Sequence, residues 1–222
     1  MPNPKFNSRR STVYSTKGVV SSSQPLANAA GIKILEKGGN AIDAAVAVAA
    51  ALTVTETPST DLGGDAYAIF YKAEDQKAYG LNGTGRSASR LSVDYIKENK
   101  PEDIINNRLS SESIFTVNVP GVVAGWYDAV EKWGSGKVTF AEILQPSIDL
   151  CENGYPISEI SAHLVSNSEK RLKKVNGEKS EEFQKKELGL FLPNEGLTGP
   201  NQGQLIKNQY KAETFKLLAK HG

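Results

Sequence analysis

Few residues in this chain have the type and spacing for covalent chemistry. Hydrolysis of an amide needs an activated Ser, Cys or Thr, a base beside it and donors for the oxyanion. There is no G-x-S-x-G elbow, and the histidines are His163 and the penultimate His221. His163 falls on a polar helical stretch and reads as a solvated residue. Cys151, the sole cysteine, shares an apolar helical stripe with Ile148 and reads as a buried, inert thiol. A conventional triad is not expected. Neither H-x-x-x-H nor C-x-x-C occurs, and no carboxylates cluster at ligand spacing, so the residues imply no metal and no cofactor. The run GGNAID precedes a helix whose N-terminus suits an anion, but it lacks the P-loop lysine and a preceding strand. It reads as a helix stop and restart. Asp65 is the remaining candidate. It follows two glycines at the entrance of a strand, where a carboxylate caps a turn or binds a cationic or polar substrate group.

The elements that must position these residues begin with the stretch from Lys17 to Tyr71. Ser23, with Pro25 behind it, opens a helix whose Ala27, Ala30, Gly31, Ile34 and Leu35 share a face, and Gly38 and Gly39 stop it. Asn40 then caps a second helix, with Asp43 completing a capping box. The run AAVAVAAALTV that follows has no polar face and must be covered on most sides. It is shorter than the roughly 20 apolar residues of a membrane span. The breaker-rich TPSTDLGGD leads to AYAIFY, which pairs with AYGLN across KAEDQK as an antiparallel hairpin. NGTGRSASRLS reads as a loop leaving the second strand, and Ser92 caps a short helix.

Pro101 to Ser113 reads as a polar surface excursion, and FTVNV alternates apolar and polar residues until Pro120 and Gly121. VVAGWYDAVEKWG resumes a helical period. Thr139 and Glu142 form a capping box for FAEILQPSIDLCEN, in which Pro146 should introduce a kink. Pro156 and Ser158 introduce a helix toward Lys174, NGEKSEEFQKKE reads as a solvated charged stretch, and KAETFKLLAKHG is the last helix. No boundary divides the sequence in two.

The chain has 222 residues, 39% of them hydrophobic, and 26 Lys and Arg offset 25 Asp and Glu, for a net charge of +1. No basic stripe with interleaved aromatics occurs, so nucleic acid is not an expected partner. The polar, basic start lacks the apolar core of a secretory signal, and residues 1–16 read as a flexible polar tail. No membrane association and a cytoplasmic location are expected.

The run VSSSQPLANAAGIKILEKGGNAIDAAVAVAAALTVTET, followed by LGGDAYAIFY, resembles the opening of the gamma-glutamyltransferase family, the glutathione hydrolases and their cephalosporin acylase relatives. The resemblance continues through VPGVVAGWYDAVEKWG, TFAEILQPSIDLCENGYPIS, FLPNEG and YKAETFKLLAKHG, which covers nearly the whole chain in order. It implies an α+β fold, the αββα sandwich of N-terminal nucleophile hydrolases, of which residues 1–222 are the front part of the large subunit. It also implies that the catalytic threonine heads a small subunit, released by self-cleavage, whose free amine serves as the base. That subunit is then the chain's partner and this fragment alone is silent. A catalytically dead homologue acting as a binding or regulatory partner is the alternative.

The family's binding residue is an arginine, in a motif like D-x-R-E-x-A-P, that grips the α-carboxylate of a γ-glutamyl group. A gapless pairing with LNGTGRSAS puts Thr84 at the arginine position and Arg86 two residues later. A two-residue step along a strand keeps the face and moves the head group by about 7 Å. The substrate-binding candidates are therefore Arg86, Thr84 and Asp65, and the substrate is a γ-glutamyl or glutaryl-like amide. The NGxGR form and GGD resemble the acylase-like branch. Without strands from the second subunit, a sheet edge and an apolar face should stay uncovered.

Overall fold

The structure is a computed structural model that describes residues 11–176, 182, 188–189 and 191–221. The first ten residues of the expected tail, and most of NGEKSEEFQKKE, lie outside them. The chain forms two compact units, one running to Asp61 and resuming at Trp133, the other spanning residues 62–132. The sequence carries no composition shift at either crossing.

The first unit is a set of packed helices. Helix α1, Pro25–Glu36, starts on Pro25 with Gln24 at the cap, one residue later than Ser23 suggested. Gln24 makes no side-chain cap bond because its amide is used elsewhere: Nε2 donates to Ser158 Oγ at 3.0 Å and is 3.4 Å from Ser161 Oγ. Gly38 takes φ +92°, a left-handed conformation that suits a residue without Cβ. Helix α2, Ala41–Thr55, opens with the expected capping box: Asn40 Oδ1 accepts from Ile42 N and Asp43 N, and Asp43 Oδ2 accepts from Asn40 N at 2.9 Å. Asp43 is fully buried and also accepts from Ser135 N at 3.0 Å, which ties the helix start to a distant turn.

Gly31 of α1 lets the two helices approach, since a Cβ there would lie 2.6 Å from Val48 Cγ2 of α2. Ala27, Ala30, Val48 and Ala51 form the resulting core. Helix α2 packs against α1 on one side and against helix α5, Phe140–Asn153, on another. Its last carbonyls are each met by a donor from far along the chain. Lys211 Nζ donates to Thr53 O at 2.7 Å, Tyr155 OH to Val54 O at 2.7 Å, and Ser161 Oγ to Thr55 O at 3.0 Å. A helix end buried this deeply needs such partners, because an unmet buried carbonyl costs about 1 to 3 kcal/mol.

Helix α5 carries the predicted Thr139–Glu142 capping box and stays helical through Pro146, which is buried. Helix α6, Glu159–Asn176, follows, and helix α7, Gln209–His221, packs on α5 and buries Phe215. His163 of α6 is a correction to the sequence reading: it is buried, with Asn167 Nδ2 one turn on at 2.9 Å from Nε2. That contact gives Nε2 a partner in a segment where Ser161, Ala162 and Val165 are buried too. Cys151 is fully buried as expected, and burial pushes its thiol up to about 12.

The second unit is built on the antiparallel hairpin of β1, Ala66–Lys72, and β2, Lys77–Gly83, with Ala66 opposite Gly83 and Tyr67 opposite Asn82. At its turn Asp75 accepts from Tyr79 OH at 2.8 Å and pairs with Lys72 at 3.2 Å, and both contacts hold its carboxyl below the usual range. One face meets helix α4, Val122–Trp133. A Cβ on Gly125 would sit 3.3 Å from Leu81 Cδ2 and 3.5 Å from the Ala66 Cβ. The other face shows Tyr67, Ile69 and Tyr71 at 69%, 88% and 62% exposure, an apolar surface that nothing in this unit covers.

After Ser92, which caps helix α3 at Val93–Asn99, a second small hairpin of β3, Ile104–Ile105, and β4, Arg108–Leu109, occupies the region read as an excursion. FTVNV joins no ladder. It starts in a 3-10 turn, Ile114–Thr116, which Val117 leaves in an extended conformation. No helix among the described residues is long and apolar enough to cross a membrane.

Candidate functional site

Strand β2 ends at Gly83, and the candidate site is the loop that follows. Strand alternation puts Asn82 and Thr84 on the same side as Tyr67, and the three are joined. Thr84 Oγ1 is hydrogen-bonded to Tyr67 OH at 2.7 Å and to Asn82 Oδ1, which also accepts from Thr84 N at 3.1 Å. Thr84 is exposed. The Arg86 guanidinium is exposed too and makes no ion pair among the described residues.

Three distant segments meet at the backbone of this loop. Asp65 Oδ1 accepts from Gly85 N at 2.6 Å, and Asn118 Nδ2 is 3.3 and 3.5 Å from the two Asp65 oxygens. Val119 N donates to Arg86 O at 2.9 Å, and Gly121 N and Val122 N both donate to Gly64 O at 3.1 Å. The glycines are required by close approach. A Cβ on Gly85 would meet the Val119 carbonyl oxygen far inside contact, with Asn118 Nδ2 at 2.9 Å, and one on Gly121 would meet Gly85 N at 2.8 Å.

The structure thus brings together the three residues singled out from sequence, with different surroundings. Thr84 and Arg86 project from the loop, whereas the Asp65 carboxylate is occupied by it. Sequence reasoning missed Asn118, Tyr67 and Asn82. The signal for Asn118 was a polar residue directly before V-P-G, inside a run whose alternation suggested a strand. No cluster of His, Cys, Asp or Glu among the described residues suits a metal ion.

The family profile described as Gamma-glutamyltranspeptidase matches residues 27–222. The chain belongs to that family. The glutathione hydrolase proenzyme of Bacillus subtilis (strain 168) is 31% identical over 92% of this chain and 32% of its own length. The crystal structure of cephalosporin acylase from Bacillus halodurans superposes with a TM-score of 0.82 at 33% identity, over 99% of this chain and 39% of that one. Helicobacter pylori gamma-glutamyltranspeptidase gives a TM-score of 0.78 at 28% identity, over 95% and 56%. The chain therefore spans about a third of the curated glutathione hydrolase's length. Its mixed helices and strands are those of N-terminal nucleophile hydrolases of this family, over part of their extent.

What the arrangement offers chemically is an exposed cation, Arg86, and two linked hydroxyls, Thr84 and Tyr67, on a backbone held at Gly85 N and Arg86 O. A guanidinium presents paired N–H donors that match the two oxygens of a carboxylate.

Proposed function

We propose that this chain is the front part of the large subunit of a gamma-glutamyltransferase-like or acylase-like amide hydrolase or acyltransferase. In this reading the nucleophile is a threonine at the head of a small subunit, and the chain by itself is catalytically silent. It supplies architecture and the acyl-donor loop. Arg86 binds the carboxylate of the donor, either the α-carboxylate of a γ-glutamyl group or the terminal carboxylate of a glutaryl-like group, and Thr84 lines the loop beside it.

The observation that carries this reading is the exposed Arg86, which makes no ion pair among the described residues, on a loop anchored at Gly85 N and Arg86 O. The absence of a triad accords with a nucleophile elsewhere. The uncovered Tyr67, Ile69 and Tyr71 face accords with further structure packing there.

Arg86→Ala in the complete, self-processed enzyme tests it. Loss of a charge-assisted bond costs about 1.5 to 3 kcal/mol, so kcat/KM for carboxylate-bearing amides should fall roughly ten- to a hundredfold. Amides lacking the carboxylate should be spared. Equal losses for the two substrate types reject the assignment.

A further inference from the structure

We propose that Asp65 is a positioning residue for the acyl-donor loop, holding the Gly85 amide, and Asn118 with it, so that Thr84 and Arg86 leave the backbone in fixed directions. This rests on the reading of Arg86 as the carboxylate ligand. Gly85 lies between the two candidate ligands, and its N–H is the donor that Asp65 Oδ1 takes at 2.6 Å. One residue on, the Arg86 carbonyl is held by Val119 N at 2.9 Å. The Gly85–Arg86 dipeptide is therefore fastened at its leading N–H and its trailing C=O. A glycine is the residue with most freedom to lose, so it is where one added bond changes loop geometry most.

Two simpler roles for Asp65 fit less well. A turn-capping aspartate bonds a backbone N–H about two residues ahead, whereas Asp65 reaches an amide 20 positions away and a side chain 53 positions away. An aspartate serving to neutralise Arg86 would pair with it. No ion pair joins them, and the Asp65 oxygens go to Gly85 and Asn118. The arrangement keeps the carboxylate close to the loop while leaving the guanidinium charge for a ligand.

The role requires an acceptor at this point rather than a negative charge as such, which separates Asn from Ala at position 65. In the complete processed enzyme, Asp65→Ala should raise KM for carboxylate-bearing amides about tenfold with kcat within about twofold, and Asp65→Asn should recover most of that loss. In an Arg86→Ala background the Asp65→Ala change should add nothing further, because Asp65 acts through Arg86. Hydrogen exchange at the Gly85 amide should speed up in Asp65→Ala and stay slow in Asp65→Asn.

The proposal is overturned if Asp65→Asn is as damaging as Asp65→Ala, if the losses at 65 and 86 add, or if Gly85 exchange is unmoved. Should Asp65→Ala fail to fold, Asn118→Ala is expected to raise the same KM by a smaller factor, and an unchanged KM counts against the idea. If Arg86→Ala leaves carboxylate discrimination intact, the functional reading fails by itself. Gly85 exchange then decides the positioning role independently.

Discussion

Gly85→Ala is the substitution that the structure constrains most tightly. The new methyl group would run into the Val119 carbonyl oxygen and would lie 2.9 Å from Asn118 Nδ2 and 3.0 Å from the Val119 carbonyl carbon. Val119 cannot simply retreat, because its own N–H holds Arg86 O at 2.9 Å and the next turn is tied to Gly64 O through Gly121 N and Val122 N. The loop must withdraw instead, by about 1 Å or more to restore ordinary contact, at a cost of about 1 to 3 kcal/mol for overpacking. Withdrawal breaks the Asp65–Gly85 bond and carries Arg86 with it. A misplacement of about 1 Å in a binding group can cost about a hundredfold in rate. The assay is kcat/KM of the complete enzyme on a carboxylate-bearing amide, beside its thermal unfolding midpoint. The expected result is a kinetic loss far larger than the stability loss explains. Kinetics within about twofold of the parent, with an unchanged midpoint, would refute the close approach and the role of the loop together.

Two further predictions concern the helical unit. The Glu142 carboxyl is held below its ordinary value of 4.5, first by the Thr139 amide and then by the Lys37 ammonium. A depressed folded-state value adds stability above the unfolded value and loses it as pH falls through the folded one, so the parent's advantage over Glu142→Gln should shrink as pH falls below the ordinary 4.5 in denaturant titrations; a constant difference would remove Glu142 from the acid limb. Cys151, fully buried and pushed up to about 12, should resist iodoacetamide near pH 8 in the native protein and react once unfolded; full labelling before unfolding would mean that the α5 interior is open.

What could be read in advance was local. The α2 cap depends on Asn40 and Asp43, the α5 cap on Thr139 and Glu142, and the main hairpin on two short runs with a polar turn between them, all within a few residues. The small hairpin was local too. In IINNRL, Asn106 and Asn107 both take left-handed φ, 51° and 61°, the conformation a two-residue hairpin turn requires and one that asparagine tolerates. The polar character of the surrounding segment masked it. His163 was not legible, because its burial depends on tertiary packing around α6 and on Asn167. The second partner of Asp43, Ser135 N, was equally hidden, since it is 92 positions away. In the candidate site, resemblance pointed to Thr84 and Arg86 and the glycine pair to Asp65, but that the Asp65 carboxylate is taken up by Gly85 N while Thr84 and Arg86 stay exposed depends on contacts between segments that no short motif spans.

The chemistry of the candidate loop also bears on which donors it can tell apart. A γ-glutamyl and a glutaryl group put a carboxylate at the same distance from the scissile carbonyl and differ only in the α-amine. Arg86 can select the carboxylate in both. Selecting the ammonium requires an acceptor, and the one carboxylate among the three candidates is Asp65, whose oxygens already serve Gly85 N and Asn118 Nδ2. To turn toward a substrate ammonium, Asp65 would have to release the loop that presents Arg86, so gaining one interaction would weaken the other. With Thr84 and Tyr67 already hydrogen-bonded to each other, the loop in the proposed reading holds the carboxylate and offers no uncommitted carboxylate of its own to the amine beside it. In the proposed enzyme, discrimination between γ-glutamyl and simple dicarboxylic acyl donors therefore falls to groups outside this loop.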